Sequence, residues 1–366
     1  MQQIVRGRGS LNRENLTAWM AQVSMRRPLL VCSQRMQADF LARTGLEFPL
    51  FCGYHANPDL ADAAAGAEAY RAYGCDGLIS VGGGSAMDTA KAVKALLLAG
   101  DMEAVKVSRL PEGVLPHIAI PGTAGTGAEA TPIAVVYVAG EKLSLDHPSL
   151  LPEGILMDAS LLDTLPLYHK KACAMDALCQ GIESYWAAAA TAESRIHAER
   201  AIIGVLRNMD AYLAGDATAA DAVLEAAYES GCAIRISRTT AAHAMSYQIT
   251  KRIGPAHGHA CMLTLPHLWR HMGSAPVLDA LNALMGVQDG AELLLGLLAA
   301  TDMLPDALPD DATLDALAAS VNVQRLGNHP QKLTAAELRN IYVQAFTPIT
   351  QKERARLTAL WRTYAG

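Results

Sequence analysis

Leu78-Ile79-Ser80-Val81, then Gly82-Gly83-Gly84-Ser85, then Ala86 to Ala99 (AMDTAKAVKALLLA) is the stretch that decides the fold. The first four residues have the length and apolar character of a buried strand, and the last fourteen read as a helix. Between them, three glycines and a serine leave backbone amides uncovered at a helix N-terminus. Such a turn cradles a pyrophosphate without side-chain obstruction. The turn departs from GxGxxG, because Met87 stands where the third glycine belongs, and no P-loop lysine follows.

The pattern repeats on either side. Pro28 to Ser33 (PLLVCS) reads as a strand, Asp59 to Tyr73 as an alanine-rich helix, and His117 to Ile120 as a further strand. A second phosphate-type loop, Pro121 to Thr131 (PGTAGTGAEAT), follows that last strand. Strands alternating with helices predict a parallel sheet with right-handed crossovers and ligands beyond the carboxyl ends of the strands. Two glycine loops after adjacent strands point to one long ligand, a dinucleotide. Asp88 and Lys91 add polar groups near its phosphate end, or are an ordinary charged pair on a helix.

The 366 residues fit two domains of usual size. Apolar residues make up 51%, charged residues 18% and aromatics only 5%, which suits alanine-rich, close-packed helices. Thirty basic against 36 acidic side chains, net −6, argue against a nucleic-acid or anionic-membrane surface. No apolar run reaches membrane-spanning length, and MQQIVRGRGSLN lacks the apolar core of a signal peptide, so a cytoplasmic location is expected. Seven scattered cysteines without a CxxC pair read as reduced thiols packed as small apolar residues.

After Pro152 the texture becomes helical: Asp158 to Leu165, Ala172 to Ala190, Glu193 to Leu213, Ala219 to Ser237 and Thr334 to Thr347. Glycine, proline and leucine mix over Ala275 to Asp311, read as helices with loops. The expected division is residues 1–160, an α/β dinucleotide-binding domain, and residues 161–366, an all-α domain. In the helical half Asp176 and Gln180 lie four apart and share a helix face, while His243 and His257 come from different elements. A carboxylate plus two imidazoles is a plausible divalent-metal set; capping, pairing and structural histidines are the alternatives.

GGGSAMDTAK (Gly82 to Lys91), PGTAGTGAEAT, MDALCQGIESY (Met175 to Tyr185) and HAMSYQITKRIGPAHG (His243 to Gly258) occur in the order and spacing of the iron-containing, group III alcohol dehydrogenase family. The chain resembles that family over nearly its whole length. The resemblance implies the dehydroquinate synthase-like fold, with a parallel-sheet dinucleotide domain, an all-helical domain, and NAD(P)H and a divalent metal held between them. It assigns the metal to Asp176, Gln180, His243 and His257, with Fe(II) first and Zn(II) second. The cofactor falls to Gly83, Gly84, Ser85, Asp88, Thr123, Thr126, Lys142 and Gln34. The implied reaction is reduction of a small aldehyde to an alcohol.

Two positions depart from the family. Gln180 stands where the family has its first metal histidine, and Tyr247 where many members carry a proton-relay histidine. The proton route is therefore open between Tyr247, His259 and water. The strings around CQ-x-IESYW, TTAxHAxSY and HGHA, with Gly327-Asn328-His329-Pro330, resemble the branch that includes phosphonoacetaldehyde reductases. A phosphonate needs cations near the metal, and Arg238 is the first choice over Arg235, Lys251 and Arg252. Ser33-Gln34 lack the carboxylate that favours NADH, which leans the reading to NADPH with Arg35 as a partner for the 2′-phosphate. A homodimer is a further expectation. The alternatives are reduction of another small aldehyde, a maleylacetate reductase-like enzyme, a dehydroquinate synthase-like lyase, and a non-catalytic dinucleotide-binding protein.

Overall fold

The computed structural model describes residues 2–106, 110–322 and 326–366. Two compact units divide the chain, Met1–Leu165 and Pro166–Gly366.

The first unit runs β1 (Gln3–Arg6), α1 (Arg13–Gln22), β2 (Pro28–Val31), α2 (Gln34–Thr44), β3 (Leu50–Phe51), α3 (Leu60–Ala72), β4 (Gly77–Gly82), α4 (Gly84–Ala99), α5 (Met102–Lys106) and β5 (His117–Pro121). A hairpin of β6 (Ile133–Val138) and β7 (Glu141–Asp146) follows, then β8 (Gly154–Met157). Six strands form one sheet in the order β1-β8-β5-β4-β2-β3, with every pairing parallel. Alternation along each strand feeds two cores. Leu29, Val31 and Leu78 pack with α3, α4 and the hairpin, whereas Leu30, Ile79 and Val81 pack with α1 and α2. Burial on both faces is why these strands read as continuous apolar runs.

One strand of this unit was not singled out in the sequence, and one helix needs correction. Gly154–Met157 is a strand, buried throughout and bonded to both β1 and β5, inside the residues 1–160 expected to be α/β. Asp158 to Leu165 is not a helix but a short 3-10 turn, Ala159–Leu162. Its cause is Asp158, whose buried carboxylate accepts from the Gly9 and Leu11 N–H groups, both at 3.0 Å, and so ties the turn to the N-terminal loop.

The second unit is helical among the described residues: α6 (Leu167–Trp186), α7 (Ala192–Leu213), α8 (Ala217–Ser237), α9 (Ala241–Arg252), α10 (His257–Met272), α11 (Pro276–Met285), α12 (Gly290–Ala300), α13 (Asp311–Ala319), α14 (Ala335–Phe346) and α15 (Gln351–Ala365). Small side chains let these helices approach closely. The tightest approach is at Gly258, where an added Cβ would lie 2.1 Å from the Ala172 carbonyl oxygen and 2.6 Å from Asp176 Cβ. Only glycine lets the start of α10 press against α6 there, which brings His257 to Asp176. No single helix among the described residues is long and apolar enough to cross a membrane.

Candidate active site

In the first unit the two glycine loops touch. The Gly122 N–H donates to the Gly82 carbonyl at 2.8 Å, and a Cβ on Gly122 would sit 3.1 Å from Gly82 Cα. Gly83 lies against the Thr123 side chain and Gly84 against Thr126, with Ser85 in the first turn of α4. These five predicted cofactor residues form one cradle at the carboxyl ends of β4 and β5, with the N-terminus of α4 opening into it. Gln34 is exposed as the first residue of α2, at the end of β2.

Asp88 and Lys91 act differently from each other. Asp88 accepts from the Val135 N–H at 3.1 Å, which ties α4 to the hairpin. Burial pushes its carboxyl up to about 6, although Lys91, the Val135 N–H and Lys142 on β7 each pull it down. Lys91 is 0% exposed and donates to the carbonyls of Ala128 at 2.6 Å and Ile133 at 2.7 Å. It anchors the second glycine loop rather than reaching a phosphate. Arg35 donates to the Thr164 carbonyl at 2.9 Å.

In the second unit, among the described residues, one set of His, Cys, Asp and Glu side chains brings its donor atoms within 4.8 Å of one another: Asp176, His243, His257 and Cys261. His243 Nε2 lies 3.3 Å and His257 Nε2 3.9 Å from Asp176 Oδ1. Asp176, His243 and Cys261 are buried, while the His257 side chain is 35% exposed, so the group is open on the His257 side.

Both imidazoles are oriented from behind. His243 Nδ1 hydrogen-bonds the carboxylate of Glu183, two turns after Asp176 on the same face of α6. Glu183 Oε1 also accepts from the Thr240 N–H at 3.1 Å, the Thr240 O–H at 2.6 Å and the Ala242 N–H at 2.9 Å, so it caps the N-terminus of α9. Burial pushes the Glu183 carboxyl up, but His243 and these donors outweigh it and hold it below the usual range. Glu183 is therefore a carboxylate placed to accept Nδ1–H, which sets Nε2 toward Asp176. His257 is set in the same way: Ser246 Oγ donates to the His243 carbonyl at 2.9 Å and accepts from His257 Nδ1–H at 3.1 Å. His243 Nε2 is a buried nitrogen without a hydrogen bond of good geometry. A carboxylate and two imidazoles presenting lone pairs to one point fit a divalent metal.

The remaining predicted residues make the following contacts. Gln180 Oε1 accepts from Ser230 Oγ on α8 at 2.8 Å. The Tyr247 ring stacks on His257, centroids 5.5 Å apart. His259 is held by two contacts: its Nε2–H donates to the Met303 carbonyl at 2.7 Å and its Nδ1 faces the Tyr168 hydroxyl at 3.3 Å. Arg238 is exposed at the end of α8, with Nη1 on the Arg235 carbonyl at 2.9 Å. Its φ of 64° is unusual for a side-chain-bearing residue. Asn328 clamps this turn by donating to the carbonyls of Ser237 and Thr239, which accounts for the asparagine of Gly327-Asn328-His329-Pro330. Arg252 is exposed and donates to Gln248 Oε1.

Sequence reasoning missed Glu183, Ser246 and Cys261. The seven-residue step from Asp176 to Glu183 and the four-residue step from His257 to Cys261 were the available signals, since both place side chains on one helix face.

Comparisons with known proteins agree with this architecture. The profile described as iron-containing alcohol dehydrogenase matches residues 2–159, and the C-terminal profile of the Fe-containing alcohol dehydrogenase family matches residues 171–346. A phosphonoacetaldehyde reductase of Streptomyces viridochromogenes is 37% identical over 239 residues, 62% of this chain and 60% of that protein. A lactaldehyde reductase of Escherichia coli is 32% identical over 248 residues, 64% of this chain and 63% of the other. The matched stretch thus spans about 60% of the length of these relatives. Among solved structures, a sulfoacetaldehyde reductase from Bifidobacterium kashiwanohense in complex with NAD+ superposes with a TM-score of 0.86 at 24% identity, covering 94% of this chain and 97% of that one. An iron-containing alcohol dehydrogenase gives 0.84 at 25% identity, covering 94% and 97%.

Proposed function

The chain belongs to the iron-containing alcohol dehydrogenase family, and on that premise we propose that it reduces a small aldehyde to the corresponding alcohol with NAD(P)H and a divalent metal. The observation that carries the reading is the convergence of Asp176, His243 and His257, with Glu183 and Ser246 bonded to the two Nδ1 atoms so that both Nε2 atoms face the carboxylate. When bound, the metal, Fe(II) by family and Zn(II) as the second choice, supplies Lewis acidity at a carbonyl oxygen, and the dinucleotide supplies the hydride.

The chain's own residues do the rest. The amides of Gly83, Gly84 and Ser85 at the α4 N-terminus bind the pyrophosphate, with Thr123 and Thr126 closing the cradle. Lys91 holds the second loop in place by its carbonyl contacts. Lys142, whose charge acts on Asp88, stands on the hairpin beside that loop system. Asp176 and the two Nε2 atoms hold the metal, and Glu183 keeps the His243 proton on Nδ1. Tyr247, stacked on the half-exposed His257, carries the proton route together with water. Gln34 offers no carboxylate to repel a 2′-phosphate, which favours NADPH.

Phosphonoacetaldehyde, giving 2-hydroxyethylphosphonate, is the substrate reading supported by the 37% identical relative. Arg238 is its proposed cation. The test is an anaerobic assay of NADH and NADPH oxidation with phosphonoacetaldehyde and uncharged aldehydes after loading with Fe(II), Zn(II) or Mn(II). Reduction that needs metal supports the function; no oxidation with any aldehyde or metal refutes it. Arg238→Ala is expected to raise KM for the phosphonate about tenfold and leave uncharged aldehydes unchanged, as loss of one charged hydrogen bond would.

A further inference from the structure

We infer that Cys261 Sγ is a metal ligand of this chain, standing in the coordination position that the sequence pattern gives to Gln180. The inference rests on the metal-assisted reading above. Cys261 lies one turn beyond His257 on the same face of α10 and is 0% exposed, with Sγ 3.8 Å from His257 Nε2. A shared ion with metal–nitrogen and metal–oxygen bonds near 2.05 Å and a metal–sulfur bond near 2.3 Å would place tetrahedral neighbours about 3.6 Å apart for N and S and about 3.4 Å for N and O. The corresponding separations are 3.8 Å for His257–Cys261, 3.3 Å for His243–Asp176 and 3.9 Å for His257–Asp176. Shifts of about half an ångström or less in these three separations would seat one ion.

Gln180 is already engaged by another helix: its Oε1 accepts from the Ser230 hydroxyl across the contact between α6 and α8. Burial alone does not explain Cys261 either. Cys179, also 0% exposed and on α6 beside Gln180, stands outside the donor group.

Binding replaces the S–H bond with a metal–sulfur bond and releases the proton to solvent, without change of oxidation state. Thiolate and carboxylate together neutralise a dication in a largely buried site, which lowers the cost of placing the charge there. A soft sulfur donor also moves the site's preference toward Zn(II) over Fe(II), compared with an oxygen donor from Gln180.

The test uses the full-length protein loaded with Co(II) and, separately, Zn(II). Wild type is expected to bind one Co(II) with both visible d–d bands and a near-ultraviolet thiolate-to-cobalt charge-transfer band. Cys261→Ser should lose the charge-transfer band, keep weaker d–d bands, and bind Zn(II) about 100-fold less tightly, while Gln180→Ala keeps the band. X-ray absorption of Zn(II)-loaded wild type should show one sulfur scatterer near 2.3 Å, a readout that needs no variant to fold. Co(II) bound through Asp176 and the histidines, but with no charge-transfer band and no sulfur shell, overturns the thiolate ligand and leaves the metal-assisted function standing. A band that persists in Cys261→Ser also overturns it. Failure of Asp176→Asn and His243→Ala to reduce metal binding overturns the function and this inference together.

Discussion

Glu183→Gln tests the support behind the metal site without touching the donors themselves. In the native arrangement Glu183 Oε1 accepts four hydrogen bonds, from Thr240 N–H, Thr240 O–H, Ala242 N–H and His243 N–H, while Oε2 accepts His243 Nδ1–H. A glutamine keeps one oxygen for the α9 N-terminus but turns an NH2 toward Nδ1. That forces the His243 proton onto Nε2, the atom 3.3 Å from Asp176 Oδ1, where the metal lone pair is needed. Metal binding then has to reverse the tautomer, and a loss of about 10–100-fold in affinity is expected, the range for losing such an outer partner. Charge-assisted hydrogen bonds of about 2 kcal/mol each fall to roughly half in the neutral amide. Partly offset by removal of a buried charge, this leaves a net destabilisation of about 2 kcal/mol. For a unit of this size that lowers Tm by roughly 4–8 °C. Competition with a chromogenic chelator gives the affinity, and circular dichroism the Tm. Activity should recover at saturating metal. Wild-type affinity within twofold, or lost activity that saturating metal does not restore, would refute the reasoning.

Three more outcomes follow from the same geometry. His257→Ala should abolish turnover while NAD(P)H binding, followed by nicotinamide fluorescence, stays within about threefold of wild type; parallel loss of dinucleotide binding would contradict the assignment of His257 to the metal alone. Gly258→Ala forces a Cβ to 2.1 Å from the Ala172 carbonyl oxygen, so a destabilisation of about 3 kcal/mol or more and loss of metal are expected, measured by Tm and metal content; an unchanged Tm would show that α10 does not press on α6 as described. Burial lowers the Lys91 amine from its ordinary 10.5 to about 8, the raising effect of Asp88 notwithstanding. The unfolded chain therefore binds more protons between those values, and this site's contribution to stability rises with pH across that window. Lys91→Met should flatten the rise in a chemical-denaturation series between pH 8 and 10, and equal slopes in both proteins would count against it.

The parallel sheet was legible because its evidence is local. Leu78 to Val81, the glycines after it and the helix through Ala99 carry strand length, turn chemistry and helical composition within a few dozen residues. β8 was not, since four residues following Pro152 have no periodicity of their own and become a strand only when β1 and β5 offer their edges. Asp158 to Leu165 failed for the complementary reason: a helix-compatible composition was overridden by a carboxylate bonded to a loop nearly 150 residues away.

The site divides along the same line. By itself the sequence pointed to Asp176, His243 and His257 as candidates for metal-binding chemistry and to two loops that can hold a phosphate, because residue type and spacing limit both. Only the tertiary structure decided which way each side chain faces. The crossing of α10 over α6 at Gly258 puts His257 and Cys261 beside Asp176, turns His259 to Met303 and Tyr168, and leaves Gln180 with Ser230. It also turned Glu183 from one carboxylate among 36 acidic residues into the group that caps α9 and sets the His243 tautomer. Direction is a property of helix contacts made between residues far apart in the chain, and spacing along one helix cannot supply it.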